Sequence, residues 1–211
     1  MIKAHYIYLH GFASSPLSTK AQYLLNCFAK SNLNLSVLDL NDNDFSNLSL
    51  TRQLTQVAKA FPSADIPVTI IGSSFGGLTA AWLGEKHPQV TRLILLAPAF
   101  NFLNHLPSIL GKGQLEQWEE EGRLSVYHYG EKQNLFLNYQ FVTDLRQYQE
   151  AKIQRPVPTV IFHGKNDAVI PIESSRDYVK QRPWTKLIEI DSDHSLTDTM
   201  AQLWQLIEEF L

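Results

Sequence analysis

Three glycines and a serine at one strand-to-helix joint constrain this chain more than any other feature. In "VTIIGSSFGGLTAAWL" (68 to 83) a β-rich run passes directly into a helical pattern, and Gly72-Ser73-Ser74-Phe75-Gly76 occupies the junction. A turn sharp enough to lift a serine hydroxyl above a sheet forces strained dihedrals on that serine and brings the two backbones close together. Side chains two residues before and two residues after it would then collide. The pattern fits G-x-S-x-G in the strand-turn-helix context that motif requires. A plain glycine-serine turn, of the kind that cradles phosphate, is the competing reading, but neither G-x-x-x-x-G-K-[ST] nor G-x-G-x-x-G occurs in the chain.

A joint of this kind implies a particular frame, and the rest of the chain supplies it. Short β-rich runs recur at 5 to 10, 36 to 40, 68 to 73, 92 to 97, 159 to 164 and 186 to 191, with helical patterns between them. This alternation predicts an α/β fold with a parallel sheet covered by helices on both faces. Ser15 and Pro16 read as the N-cap and first residue of the first helix, whose Ala21, Leu24, Leu25 and Phe28 share one face. Further helices are predicted near 50 to 60, 75 to 87, 173 to 181 and 196 to 210. One interval breaks the rhythm: about fifty residues, Phe100 to Gln149, separate the fourth run from the fifth. Loops that long are rarely structureless, and "QLEQWEEEG" followed by two alternating segments predicts a helix and a hairpin forming a small cap. The expected organisation is one domain over 1–211 with a cap-like insertion at about 100–150; at 44% apolar residues the chain can bury a substantial core.

Serine is a weak nucleophile near neutral pH and needs an imidazole base together with a carboxylate that orients it. In an open parallel sheet the carboxyl ends of the strands share one edge, where residues remote in sequence converge. Asp167 follows the fifth run in "VIFHGKNDAVIP", and His194 follows the sixth in "IDSDHSLTD". Ser74, Asp167 and His194 therefore stand in the chain order known for this type of site. Asp191 and Asp193 compete for the role of acid, Asp193 most directly. His10 and His163, each before a glycine at a strand end, suit structural hydrogen bonds; His5, His87, His105 and His128 have no supporting context. By residue type, His10, His163, Asp167 and His194 could instead hold a metal, a reading that leaves the glycine-flanked serine unexplained. "NDNDFSN" (41 to 47) lacks the glycine and distal glutamate of a calcium loop and reads as a solvated turn. No metal and no cofactor is expected.

The formal net charge of −3 and the 18% of charged residues leave no basic face for nucleic acid. No run approaches the length of a membrane span, and the opening "MIKAHYIYLHG" lacks the apolar stretch of a signal peptide. The lone cysteine, Cys27, reads as a buried free thiol in a helix. A cytoplasmic setting is expected; oligomeric state is not legible.

The string "YLHGFASSPLSTKA" (8 to 21), taken with "GSSFGG" (72 to 77), resembles the small bacterial YqiA/YcfP-type α/β-hydrolases, a group of esterase-like proteins. The resemblance runs along the whole chain and is weakest in the cap. It implies a minimal α/β-hydrolase sheet of six parallel strands ordered 2-1-3-4-5-6, with Ser74 as nucleophile, Asp167 as acid and His194 as base. It also implies an oxyanion hole built from the backbone N–H groups of Phe12 and Phe75. The activity implied is hydrolysis of carboxylic esters, with acyl thioesters as a variant, through an acyl-enzyme; a ligand-binding or sensor protein on the same scaffold is the alternative. Phe100, Trp118, Tyr127 and Tyr129 are the predicted substrate pocket, together with Phe12, Phe75 and Phe102. Lys112, Arg123 and Lys132 are the cations available to a nucleotide-bearing thioester.

Overall fold

The computed structural model describes residues 4–111 and 113–211. Its main sheet is built from β1 (His5–Leu9), β2 (Leu35–Leu38), β3 (Val68–Ser73), β4 (Val90–Leu96), β7 (Thr159–Gly164) and β8 (Thr185–Ile190). Between β4 and β7 lies a separate antiparallel hairpin of β5 (Arg123–His128) and β6 (Gln133–Asn138). All pairings in the main sheet are parallel, and its order is β2-β1-β3-β4-β7-β8. Counting only the sheet strands, this is the 2-1-3-4-5-6 order the resemblance implied.

The central strands β1, β3, β4 and β7 are largely buried on both sides, and the side-chain period of two sends alternate residues into two cores. Tyr6 and Tyr8 of β1, with Ile94, Leu96 and Phe162, pack under α1 (Thr19–Lys30) and α8 (Met200–Glu208) through Ala21, Leu24, Phe28, Leu203 and Ile207. Ile7, Leu9, Ile70, Leu95 and Ile161 face the opposite way, toward α2 (Leu50–Lys59), α3 (Phe75–Lys86) and α7 (Glu173–Lys180). Each fully buried aliphatic or aromatic side chain contributes roughly 1.5–3 kcal/mol, so the sheet is held from both faces. Cys27 is a free thiol within α1 but only partly buried, because it lies off the face that Ala21, Leu24 and Phe28 turn to the sheet.

The first helix starts later than predicted. Ser15 Oγ accepts a bond from the Leu17 N–H and closes only a turn, whereas Ser18 is the N-cap and accepts from the Ala21 N–H. At the other end of the chain, Leu196 adopts a left-handed conformation and a short 3₁₀ turn over Thr197–Thr199 precedes α8, which shortens the predicted last helix. The 41–47 segment is a turn through Asp42 and Asn43, after which Asp44 caps a 3₁₀ turn that buries Phe45.

The long interval contains the predicted helix, α5 (Gln114–Glu121), and the predicted hairpin. It also holds two helices that were not predicted, α4 (Phe102–Leu110) and α6 (Gln140–Leu145). The segment is tied down at several points. Tyr129 N–H donates to the Ala13 carbonyl, Asn138 Nδ2 to Asn47 Oδ1, and Thr51 N–H to Asp144 Oδ2. His128, the last residue of β5, is buried against the Phe45 ring. These contacts set the insertion over the carboxyl edge of the sheet. Among the described residues, no helix is long and apolar enough to cross a membrane.

Candidate active site

The joint after β3 is as tight as its glycines suggested. A Cβ on Gly72 would lie 2.8 Å from the Gly76 carbonyl carbon, and one on Gly76 would lie 2.5 Å from the His10 carbonyl oxygen. Between them Ser74 has φ 52° and ψ −118°, a backbone region that costs a non-glycine residue about 1–3 kcal/mol. The conformation is over-determined by its neighbours. Ser74 N–H donates to the Leu96 carbonyl, while the Ser74 carbonyl accepts from the N–H groups of Gly77, Leu78 and Ala99. Ser74 occupies the N-cap of α3 without using its side chain as a cap. The hydroxyl is thereby left for another partner.

That partner is His194. Ser74 Oγ lies 3.0 Å from His194 Nε2, and His194 Nδ1 lies 2.6 Å from Asp167 Oδ2. The three residues stand beyond the carboxyl ends of β3, β8 and β7, so the parallel sheet assembles them although Ser74 and His194 are 120 positions apart. The Asp167 loop is braced independently, since Oδ1 accepts from the N–H groups of Val169 (2.9 Å) and Ile170 (2.8 Å). Burial alone would raise the Asp167 carboxyl, but the hydrogen bonds from His163 and His194 outweigh it and hold the group well below its usual 3.8. Asp167 therefore stays ionised beside the imidazole.

The competing carboxylates are engaged elsewhere. Asp193 Oδ1 accepts from the N–H and the hydroxyl of Ser195, and Asp191 Oδ1 accepts from Asn166 Nδ2. His10 is buried and fixes the loop after β1, with Nε2 accepting from the Leu40 N–H and Nδ1 donating to the Gly11 carbonyl. Among the described residues no group of three or more His, Cys, Asp or Glu side chains is arranged to hold a metal ion.

A cavity of about 700 Å³ opens over Ser74. Gly11 and Phe12 line it, which brings the loop after β1 to the same space as the serine, and Phe75 begins α3 directly beside it. The wall supplied by the insertion is apolar: Phe102, Leu106, Leu110, Trp118, Leu124 and Phe141. Trp118 is buried and donates through Nε1 to the Leu137 carbonyl, which fixes its ring. Tyr127 lines the cavity half-exposed, and Tyr129, 72% exposed, stands at its mouth. Phe100 does not belong to this space. It is buried and stacks on Tyr178 with ring centroids 3.9 Å apart, so this residue, expected on the cavity wall because it follows a strand end, turns into the core instead. Phe75 is likewise packed among Phe12, Phe102 and Phe141. Of the cations considered for phosphate, Lys112 lies outside the described residues, and Arg123 sits over the Phe136 ring.

Sequence reasoning missed Tyr8, Ser18 and Lys20, which line the same cavity as Ser74 and His194. All three lie in the string that carried the family resemblance, which was the only available signal.

A family model described as an uncharacterised protein family, UPF0227, matches residues 5–211. No curated protein matches the chain. Among solved structures, the chain is similar to mouse alpha/beta hydrolase domain-containing protein 10, with a TM-score of 0.78 and 19% identity over 98% of this chain and 88% of that one. It is similar to Est1E of Butyrivibrio proteoclasticus with ferulic acid bound, at a TM-score of 0.77 and 19% identity over 99% and 88%. It is also similar to a pyrethroid hydrolase of Sphingobium faniae JZ-2, at 0.69 and 16% over 98% and 96%. At these identities the likeness establishes the α/β-hydrolase fold.

Proposed function

From the premise that this chain belongs to the UPF0227 family, of YqiA/YcfP type and α/β-hydrolase fold, we propose that it is a serine hydrolase of carboxylic esters, with acyl thioesters as a variant. The observation that carries this reading is the hydrogen-bond chain from Ser74 through His194 to Asp167, attached to a serine held at positive φ. A merely structural turn has no need of a strained serine whose hydroxyl is offered to an imidazole.

In this reading Ser74 Oγ attacks the ester carbonyl carbon and its proton passes to His194 Nε2. Asp167 holds the ring in the tautomer that can accept that proton and stabilises the imidazolium formed. The carbonyl oxygen, now an oxyanion, takes hydrogen bonds from the backbone N–H groups of Phe12 and Phe75, the latter at the positive end of α3. Collapse of the adduct breaks the bond to the leaving alcohol or thiol, which receives the proton from His194. Water then attacks the acyl-Ser74 with His194 again as base, releasing the acid and restoring the hydroxyl. The insertion acts as a cap whose apolar wall receives the acyl chain. That hydrolases are among the fold's neighbours supports this reading.

An active-serine fluorophosphonate probe, with the adduct mapped by peptide mass spectrometry, tests the proposal without knowledge of the substrate. Wild type is expected to label at Ser74 and Ser74→Ala to lose the label, with kcat on a short-chain ester falling by about 10⁶. A folded wild-type protein that takes up no label points instead to a binding protein on a hydrolase scaffold.

A further inference from the structure

The motif "SSPLSTKA" places a lysine on the wall of the Ser74 cavity, and the proposed chemistry leaves it without a role. Lys20 is on the second position of α1, beside Ser18 at the N-cap, and lines the same cavity as Ser74 and His194. Its polar neighbours are already committed. The Tyr8 hydroxyl is buried beside those of Ser73 and Ser18. Asp167 is held by His163, His194, Val169 and Ile170, and Asp193 by Ser195. Among the described residues no carboxylate lies within ion-pair distance of the Lys20 ammonium; Asp167 and Asp193 act on it only as more distant charges.

We infer that Lys20 is a specificity determinant that binds an anionic group, carboxylate or phosphate, on the leaving half of the substrate. The inference rests on the hydrolase reading above. The side of the cavity decides which half of the substrate is meant. Hydrocarbon from the acyl half fits the apolar lining supplied by Phe102, Leu106, Trp118 and Leu124. The leaving group must lie on the side of His194, which protonates it, and Lys20 belongs to that neighbourhood, since the charges of Asp167, the partner of His194, and of Asp193, next to His194 in the chain, both act on it. A partly desolvated cation without a counter-ion gains most from an anion that enters with the substrate, since the desolvation has already been incurred in the free protein. Burial pulls the Lys20 ammonium down to about 8, against the opposing fields of Asp167 and Asp193. It therefore still carries its charge at neutral pH.

Matched esters test this. A nitrophenyl butyrate bearing a carboxylate on the phenyl ring is compared with its methyl ester, and a phenyl butyrate bearing a ring phosphate is compared with its unsubstituted parent. The full-length wild type is expected to favour the anionic member by at least about tenfold in kcat/KM, and the larger of the two ratios distinguishes carboxylate from phosphate. Lys20→Met is expected to bring the preferred pair to parity, and Lys20→Arg to retain the preference. Parity in wild type overturns the inference, and that measurement stands even if Lys20→Met does not fold. An equal fall for both members of a pair in Lys20→Met also overturns it, because Lys20 would then serve only to offset the charge of Asp167. Turnover with labelling of Ser74 but no preference refutes the role of Lys20 alone, whereas absence of both label and turnover refutes the hydrolase reading itself.

Discussion

His163 Nε2 lies 3.1 Å from Asp167 Oδ2, the same oxygen that His194 Nδ1 approaches at 2.6 Å. The acid is therefore clasped by two imidazoles, one fully buried and one bordering the cavity. Hydrogen bonding assigns the tautomer of the inner ring. Nε2 faces two acceptors, the Ile170 carbonyl at 2.9 Å and Asp167, so it carries the hydrogen; Nδ1 is then free to accept from the Ser175 hydroxyl at 2.8 Å.

This makes His163 a positioning residue for the site. His163→Ala strips the buried Ser175 hydroxyl, the Ile170 carbonyl and one Asp167 lone pair of their partner, and is expected to lower stability by about 2–4 kcal/mol in urea titration. It is also expected to lower kcat more than it raises KM, because Asp167 loses its fixed aim at His194. A fall in stability with unchanged kcat would reduce His163 to a core residue.

Asp167 links the site to acid stability. Its folded pKa lies below the ordinary 3.8, so the unfolded chain takes up the proton first as pH falls. The stabilisation is fully present above the unfolded value and is lost as pH drops from there through the folded one. Asp167→Asn is expected to be less stable than wild type at neutral pH, with the difference shrinking as acid is added, and to cut kcat by about 10⁴. Chemical denaturation at several pH values with parallel rate measurements checks both; a stability difference independent of pH would contradict the linkage.

What the sequence disclosed and what it hid divide along physical lines. The alternation of β-rich runs and helical patterns disclosed the sheet, because a parallel strand buried on both faces can be little else. The order Ser74, Asp167, His194 was readable because strand ends in such a sheet converge wherever they lie in the chain. Helix α4 was hidden because Pro107 lies inside it and Asn101 precedes it in a left-handed conformation without a side-chain cap. The start of α1 was misplaced because Ser15 and Ser18 are both plausible caps, and only the fold shows that the first closes a turn. Lys20 was passed over for another reason. A single lysine in a helical pattern reads as a solvated face, and which face meets a cavity is decided by tertiary packing alone.

The close approach at the serine turn gives a graded test. A Cβ on Gly76 would press on the Leu9 and His10 backbone, 2.7 Å from the Leu9 carbonyl carbon, where nothing can yield without moving β1. A Cβ on Gly77 would meet Pro98 at 3.0–3.1 Å, a contact relieved by a shift of a few tenths of an ångström. Gly76→Ala is therefore expected to cost more than about 3 kcal/mol or prevent folding, and Gly77→Ala to cost about 1–2 kcal/mol. Thermal melts of the two variants check the order; equal losses would mean that the turn is looser than the packing implies.

A second cavity, of about 520 Å³ between α4 and α7, carries a prediction of opposite sign. Glu150 on its wall accepts from the Asn101 N–H at 2.7 Å. Burial pushes its carboxyl up to about 7 from an ordinary 4.5, a rise that this hydrogen bond and the nearby Arg182 only partly offset. Below the ordinary value both the folded and the unfolded chain hold the proton and nothing is lost. Between the two values the unfolded chain ionises first, so stability falls as pH rises, and above about 7 the full penalty is in place. Glu150→Gln keeps a carbonyl oxygen for Asn101 and removes the charge. It is expected to match wild type near pH 4 and to exceed it by about 1–2 kcal/mol near pH 8.5. Melting curves at those two pH values decide the matter: a variant less stable than wild type at the higher pH would mean that attraction to Arg182 outweighs the desolvation of Glu150.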